Sequence, residues 1–291
     1  MAYELVITPV ELPSRPIEGN KGSFGRALIL AGSVGMSGAA ALSGMAALRG
    51  GAGLVTVAVP APIQPIVAGF EPSYMTLALP ATADGQFSRA VLQNLEKLVP
   101  NASAVACGPG WGQSDELIEI LGWLMRNVRQ PLVIDADALN LLARTPDILG
   151  QATGPRILTP HPGEFARLIN SDVPTVQRQR IDLAVEFAAK YRVVVLLKGA
   201  GTVITDGTRV AVNTTGNSGM GTGGTGDVLT GLITALLGQG LDAFAAARLG
   251  AHLHGLAGDL AAADLSQPGL IASDLPRYFG PAWLQMLANP E

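Results

Sequence analysis

The chain has 291 residues, 48% hydrophobic and 14% charged, which suits one large, apolar α/β domain and excludes a disordered or fibrous chain. Its net charge of −4, with no basic stripe, makes nucleic acid an unsuitable partner. The lone cysteine, Cys107, rules out an intrachain disulfide and leaves no Cys/His cluster with zinc spacing.

Residues 1–20 read as a polar, Pro-containing lead-in, and residues 21–291 as a single domain. The first ten residues lack the basic start and apolar core of a signal peptide. The longest apolar run, Val228 to Leu237, is about half of what a bilayer needs. A cytoplasmic protein without a membrane partner is expected, and a lone thiol suits a reducing compartment.

From Arg26 onward strand and helix signals alternate. Ala27 to Ala31 is a short apolar run that ends in Gly32-Ser-Val-Gly35. Ser37 to Arg49 is rich in Ala, Leu and Met and reads as a helix. Leu54 to Val59 is a β-branched strand. Ala104 to Cys107 is another, leading into Gly108-Pro-Gly-Trp-Gly112. Leu117 to Val128 has helical periodicity. Pro131 to Asp135 reads as a strand and Ala136 to Ala143 as a helix. Arg156 to Thr159 is a strand, after which Pro160-His-Pro-Gly-Glu164 opens a helix. Val173 to Tyr191 reads as one long helix. Val193 to Leu197, Thr202 to Thr205 and Arg209 to Val212 are strands, the last two split by the turn signal Asp206-Gly207. This β-α order, with continuous apolar strands, predicts a mostly parallel central sheet, helices on both faces and a late antiparallel hairpin.

Ligands of such a sheet sit beyond the carboxyl ends of the strands. Six loops fall there: Gly32 to Gly38, Gly108 to Gly112, Asp135-Ala-Asp137, His161 to Glu164, Lys198-Gly199 and Asn217-Ser-Gly-Met-Gly-Thr-Gly-Gly-Thr-Gly-Asp227. The last has five glycines in eleven residues and runs straight into the apolar helical pattern from Val228. Glycines let the backbone approach a ligand closely. The free N–H groups and dipole of a helix start then favour phosphate. Asp227 is the odd member, because a carboxylate repels phosphate. It is either a helix cap or a catalytic base. If it is a base, the helix dipole should keep it ionised.

The remaining motifs each carry two readings. Gly32-x-x-Gly35-x-x-Gly38 lacks the spacing of a dinucleotide fingerprint, and no P-loop exists anywhere. Lys198-Gly-Ala-Gly-Thr202 is a phosphate or ribose contact, or a solvated lysine before a hairpin. Asp135 and Asp137 hold Mg²⁺ through water, or Asp137 caps the next helix while Asp135 is tied at the strand end. His161, fixed between two prolines, binds substrate or stays structural, with Glu164 favouring the helix dipole. His252 and His254 read as ordinary members of an apolar helix spanning Phe244 to Ala263, and Cys107 as a buried strand residue.

Taken in order, Asn20-Lys-Gly-Ser-Phe-Gly25, Ala31-Gly-Ser, Met36-Ser-Gly-Ala-Ala-Ala41, Arg49-Gly-Gly-Ala-Gly-Leu54, Asp135-Ala-Asp-Ala-Leu-Asn140, Thr159-Pro-His-Pro-Gly-Glu164, Lys198-Gly-Ala-Gly-Thr202 and the Gly-Thr-Gly-Asp227 loop carry a resemblance. From about Lys21 to its C-terminal helix the chain resembles the ADP-dependent NAD(P)H-hydrate dehydratases, a branch of the ribokinase-like superfamily.

The resemblance implies removal of water from the S form of hydrated NADH or NADPH, with ADP as co-substrate and Mg²⁺ as metal. The products would be NAD(P)H, AMP and phosphate. By the same resemblance Lys198, Gly199, Ala200, Gly201 and Thr202, with Thr222, Gly223, Gly224, Thr225 and Gly226, would bind the nucleotide. Ala40, Gly110 or Gly112, His161 and Asp227 would face the hydrate, and Asp227 would be the base. A homotetramer is implied, and a separate NAD(P)H-hydrate epimerase would act beside it, since many relatives carry that domain first. Trp111 stands where relatives often have a smaller aliphatic residue and is expected to reshape the substrate rim. Two rival readings share the anion loop: a kinase for a small alcohol, and a non-catalytic nucleotide-binding module.

Overall fold

The structure is a computed structural model and describes residues 3–8 and 12–288. Ten strands form one sheet. In chain order they are β1 (Glu4–Leu5), β2 (Arg26–Leu30), β3 (Leu54–Pro60), β4 (Met75–Leu79), β5 (Ala104–Cys107), β6 (Leu132–Ile134), β7 (Arg156–Leu158), β8 (Val194–Leu197), β9 (Thr202–Thr205) and β10 (Arg209–Asn213). The helices are α1 (Ser37–Arg49), α2 (Gln64–Ala68), α3 (Leu92–Leu98), α4 (Asp115–Asn127), α5 (Asp137–Arg144), α6 (Pro162–Leu168), α7 (Val173–Arg178), α8 (Arg180–Tyr191), α9 (Thr225–Gly238), α10 (Ala243–Leu265) and α11 (Leu275–Ala288).

Across the sheet the order is β1-β10-β9-β8-β7-β6-β5-β2-β3-β4. All neighbours run parallel except β9, which is antiparallel to both β8 and β10. Asp206 closes the β9–β10 hairpin by accepting from the backbone N–H groups of Thr208 and Arg209. The chain steps outward from β2 to β4, then returns to lay β5 on the other side of β2. That reversal opens a crevice at the carboxyl ends of β2 and β5, the usual ligand position in an open parallel sheet.

Alternate residues of each strand face opposite layers. Ile29 and Val133 belong to a core shared with α1, α9, α10 and α11. Leu28, Leu30, Leu132 and Ile134 belong to a second core shared with α3, α4, α5, α6 and α8. Helices therefore cover both faces, as the strand composition requires.

Three sequence expectations change. The lead-in is not separate from the fold, because Glu4 and Leu5 pair with Arg209 and Val210 as an edge strand. Strand β4 and helix α3 were not expected; both sit toward the β4 edge, where half-exposed residues blur the apolar pattern. The long helix expected from Val173 to Tyr191 is two helices, broken at Gln179.

Small residues bring α1 against α9. A methyl group on Gly231 would collide with the Ser43 carbonyl oxygen. The Ser43 hydroxyl in turn donates to the Asp227 carbonyl at 3.0 Å, tying α1 to the first turn of α9. Gly231→Ala should therefore force the two helices apart and cost about 1–3 kcal/mol, the usual range for overpacking. Gly38→Ala in the first turn of α1, where a methyl group meets no atom within 4 Å, serves as the control and should be neutral or stabilising. Melting temperatures of the two variants compare them directly; equal melting temperatures would refute tight α1–α9 packing.

Candidate active site

Strands β6, β7 and β8 end side by side and deliver Asp135, His161 and Lys198 to one rim. The Lys198 backbone N–H donates to the Pro160 carbonyl at 2.9 Å, which locks two of these loops together. The Lys198 ammonium donates to Asp135 Oδ1 at 2.9 Å and lies 3.9 Å from Glu164 Oε2. Asp135 is 1% exposed, and its other oxygen accepts from the Thr230 hydroxyl at 2.8 Å. Thr230 comes from α9, so the charge pair also fixes that helix. A methyl group on Gly226 would stand 3.2 Å from the Lys198 nitrogen, and glycine there lets the helix start settle onto the pair.

Helix α9 begins earlier than its apolar pattern suggests. Gly224, with φ +94°, is its N-cap, and Thr225, Gly226 and Asp227 form the first turn. Asp227 is therefore inside the helix and does not cap it. The capping reading of Asp227 falls, because its side chain accepts no capping hydrogen bond. The neighbouring expectation for Asp137 also changes. Asp137 opens α5, but its carboxylate accepts from Gly112 N–H at 2.9 Å and from the Gln113 amide at 3.0 Å. It ties the Gly108–Gly112 loop in place.

Negative charge is crowded at the rim. Burial pushes the Asp227 carboxyl up to about 7; Asp135 adds to the rise, Lys198 opposes it, and Asp137 and Glu164 add more. The expectation that the helix dipole keeps Asp227 ionised is thus overridden by burial among like charges. Burial also lifts Glu164 to about 7, against the pull of Lys198. Burial works against the Lys198 charge, but Asp135 and Glu164 outweigh it and hold its pKa above the ordinary value. His161 is lowered by burial and by the Lys198 and Arg167 charges. Its Nδ1 accepts from Gly163 N–H at 2.9 Å, as part of a capping box with Glu164, so the neutral ring carries its proton on Nε2.

A cavity of about 750 Å³ opens beside this cluster. Its walls include Lys198, Gly199, Ala200, Gly201 and Thr202 on one side and Thr222, Thr225 and Gly226 on another, with His161 at the end near Lys198. The sequence reading missed two further walls. One is the stretch from Asn213, the last residue of β10, to Gly216. The other is His254, whose Nε2 meets the Thr225 carbonyl at 3.1 Å. Burial drops His254 to about 4, so it is neutral. Its apolar helical setting gave no sign of this role.

A family model described as NAD(P)H-hydrate dehydratase matches residues 27–279. The chain belongs to the NAD(P)H-hydrate dehydratase family. It is 46% identical to the bifunctional NAD(P)H-hydrate repair enzyme Nnr of Moorella thermoacetica, over 91% of this chain and 50% of that protein. It is 37% identical to the ADP-dependent (S)-NAD(P)H-hydrate dehydratase of Neisseria meningitidis serogroup B, over 95% of this chain and 90% of that one. The chain spans about half the length of the bifunctional relatives it matches. Among solved structures it resembles the ADP/ATP-dependent NAD(P)H-hydrate dehydratase of Bacillus subtilis co-crystallised with ATP/Mg²⁺, with a TM-score of 0.81, 32% identity and 94% of each chain covered. Its α/β fold is ribokinase-like; the Arabidopsis thaliana ribokinase, 13% identical with a TM-score of 0.54, shares the fold alone.

The other dehydratase positions expected from the resemblance lie apart from the cavity walls. Gly223, Gly224 and Asp227 belong to the α9 start but do not line the cavity. Gly110 and Gly112 stand in the loop that meets Gly32, where Gly32 N–H donates to the Pro109 carbonyl at 2.7 Å. Ala40 is fully buried below Gly32, so its side chain reaches neither surface. Trp111 also turns inward. It is 0% exposed, donates from Nε1 to the Leu30 carbonyl at 2.8 Å and packs edge-on against Phe87. Trp111 therefore does not project from the rim, and it supports the loop from beneath.

No group of three or more His, Cys, Asp or Glu side chains is arranged to hold a metal ion among the described residues. Asp135, Asp137 and Glu164 already accept hydrogen bonds from the protein. That arrangement suits Mg²⁺ carried in on phosphates, with its own water shell, better than a protein cage.

The raised Asp227 pKa has a thermodynamic consequence. An unfolded aspartate titrates near 4 and the folded one near 7, so the folded state pays a growing penalty between those pH values and a constant one above. Stability carried by this group is complete below about 4 and is lost as pH rises through about 7. Asp227→Asn should thus raise the melting temperature at pH 8 and change it little at pH 4. A melting temperature lowered at pH 8 would contradict the crowding of charge around Asp227.

Proposed function

We propose that this chain is an ADP-dependent (S)-NAD(P)H-hydrate dehydratase. It would take the S form of hydrated NADH or NADPH together with ADP, and release NAD(P)H, AMP and phosphate. The reading is carried by one observation: an uncapping aspartate, tuned to about 7, stands in the first turn of α9 beside a donor-rich cavity. The family membership and the similarity to the Neisseria and Bacillus enzymes support the same reading.

The chemistry follows from the leaving group. Hydroxide leaves poorly and phosphate leaves well. In the first step the ring hydroxyl oxygen attacks the terminal phosphorus of ADP, its proton passes to the Asp227 carboxylate, and AMP departs. In the second step the carbon–oxygen bond breaks, phosphate leaves, and loss of a proton from the adjacent ring carbon restores the double bond. Phosphoryl transfer needs positioning and neutralised charge more than covalent help. The N–H groups from Thr222 to Gly226 and the Lys198 ammonium supply both. A base with a pKa near 7 is matched to neutral operating pH. His161, with a proton on Nε2 at the cavity wall, is placed to donate to a bound oxygen. Asp227 and Glu164 would hold Mg²⁺ through water, and the ion would supply neutralisation of the phosphate charge.

The wider reading includes a homotetramer, a separate NAD(P)H-hydrate epimerase in the same repair sequence, and a cytoplasmic setting. The bifunctional names of the longer relatives support a companion activity. No helix among the described residues is long and apolar enough to cross a membrane.

S-hydrated NADH mixed with the protein and ADP should regain NADH absorbance with AMP formed in step, and ATP should serve less well. A stable phosphorylated product without NADH would instead identify a kinase. Asp227→Asn should cut turnover at least about 10²-fold while ADP affinity holds or improves. Near-normal turnover would remove Asp227 from the mechanism. Lys198→Ala should weaken ADP binding by about 1–3 kcal/mol, measured by calorimetry, because a charged donor at the cavity is lost. Unchanged ADP affinity would leave Lys198 as a partner for Asp135 only.

A further inference from the structure

The loop from Lys198 to Thr202 has an unusual division of its backbone groups. The carbonyls of Lys198, Gly199 and Gly201 are occupied, whereas the amides of its three middle residues are free of protein acceptors among the described residues. The terminal nitrogen Nη2 of Arg180 donates to the Leu197 carbonyl at 2.9 Å and to the Lys198 and Gly201 carbonyls at 3.3 Å. The Gly199 carbonyl accepts from the Thr202 hydroxyl at 2.9 Å. The N–H groups of Gly199, Ala200 and Gly201, by contrast, find no acceptor among the described residues. All three residues line the cavity. Gly199 and Gly201 have φ values of +141° and +66°, conformations that only glycine adopts freely.

We propose that Arg180 is a positioning residue for the nucleotide: its guanidinium gathers the loop's carbonyls from behind, so that the amides of Gly199 to Gly201 face the cavity as a nest for phosphate or ribose oxygens. The proposal deepens the reading of the cavity as a nucleotide site and rests on it.

Three observations carry it. First, Arg180 is half-buried and forms no ion pair with a carboxylate among the described residues. Its Nε is buried without any partner. A cation kept in that setting is costly unless its charge is used, and here it lies just behind an anion site. Second, its other terminal nitrogen donates to Gln177 Oε1 at 3.1 Å, which fixes the fork. Third, the break between α7 and α8 at Gln179 puts Arg180 on the first residue of α8. Helix α8 packs on β8 and runs back along it, so its start meets the carboxyl end of that strand. Close approach matters as well, since a methyl group on Gly199 would stand 3.0 Å from the guanidinium.

The test uses the full chain with Arg180→Met and Arg180→Lys. ADP binding is read by calorimetry without hydrate, then KM for ADP, KM for the hydrate and kcat are measured alongside the melting temperature. Arg180→Met loses both charge and fork, and its ADP dissociation constant and KM should rise about tenfold. The kcat at saturating ADP and the KM for hydrate should stay within about twofold. Arg180→Lys keeps the charge without the fork and should fall between wild type and Arg180→Met. If Arg180→Met does not fold, Arg180→Lys alone decides, and a wild-type ADP affinity in it overturns the proposal. Unchanged ADP affinity in folded Arg180→Met also overturns it. So does an equal loss in kcat and in both KM values that tracks the melting temperature, which marks a structural role only. A wild-type protein that binds ADP but does not act on hydrate would remove the dehydratase reading and leave the role of Arg180 testable by calorimetry. A wild-type protein that binds no ADP would end both.

Discussion

The contact between Lys198 and Asp135 organises this site. Asp135 is sealed from solvent at the end of β6, and Lys198 reaches it from the end of β8. A buried carboxylate of that kind needs full compensation, and it gets one oxygen satisfied by the ammonium and the other by Thr230. The pair thereby joins two strands and the start of α9 in a single electrostatic unit. Everything that touches ligand is placed relative to it. The Lys198 loop begins there, Gly226 rests against it, and Asp227 feels its charge.

The surplus of negative charge around one lysine is a feature of function more than of stability. Asp135, Asp137, Glu164 and Asp227 crowd the rim, and burial disfavours the charged forms of Glu164 and Asp227. The result is an aspartate raised to about 7, which suits the proton-accepting role proposed for it. The nucleotide side has the opposite character. There the chain offers N–H groups, a lysine and, behind the loop, an arginine without a carboxylate partner among the described residues. In the proposed reaction, phosphate and proton acceptor would meet at a boundary between positive and negative surroundings, set by the first turn of one helix.

That helix sits where it does because of small residues. Glycine at 231 and serine at 43 let α9 lie against α1, and the serine hydroxyl holds the Asp227 carbonyl. A ribokinase-like sheet supplies the rim, but the depth of α9 in the structure decides whether Asp227 reaches the chemistry. Trp111 plays a parallel part on the other side of the crevice, filling the space beneath the Gly108–Gly112 loop and tying it to the end of β2.

Much of this was legible in the sequence because the signals are local. Continuous apolar strands followed by glycine loops give a parallel sheet with its ligand rim, and the Asp206-Gly207 turn gives the late hairpin. The five-glycine run before an apolar helix announces an anion site, and the ordered motifs identify the family. What the chain order could not supply was set by groups that meet only in space. Asp135 and Lys198 are 63 residues apart, and nothing in either motif says that they pair. The Asp227 pKa depends on carboxylates from two other loops, so a helix dipole read from one segment gives the wrong direction. Trp111 lies in a loop whose spacing points to the rim, yet the space under β2 takes its ring. The break at Gln179 and the reach of Arg180 to the Lys198 loop follow from packing of α8 on β8, which overrides an unbroken helical pattern. Periodicity and turn chemistry act within a few residues, whereas burial, charge crowding and hydrogen-bond reach are properties of the assembled fold.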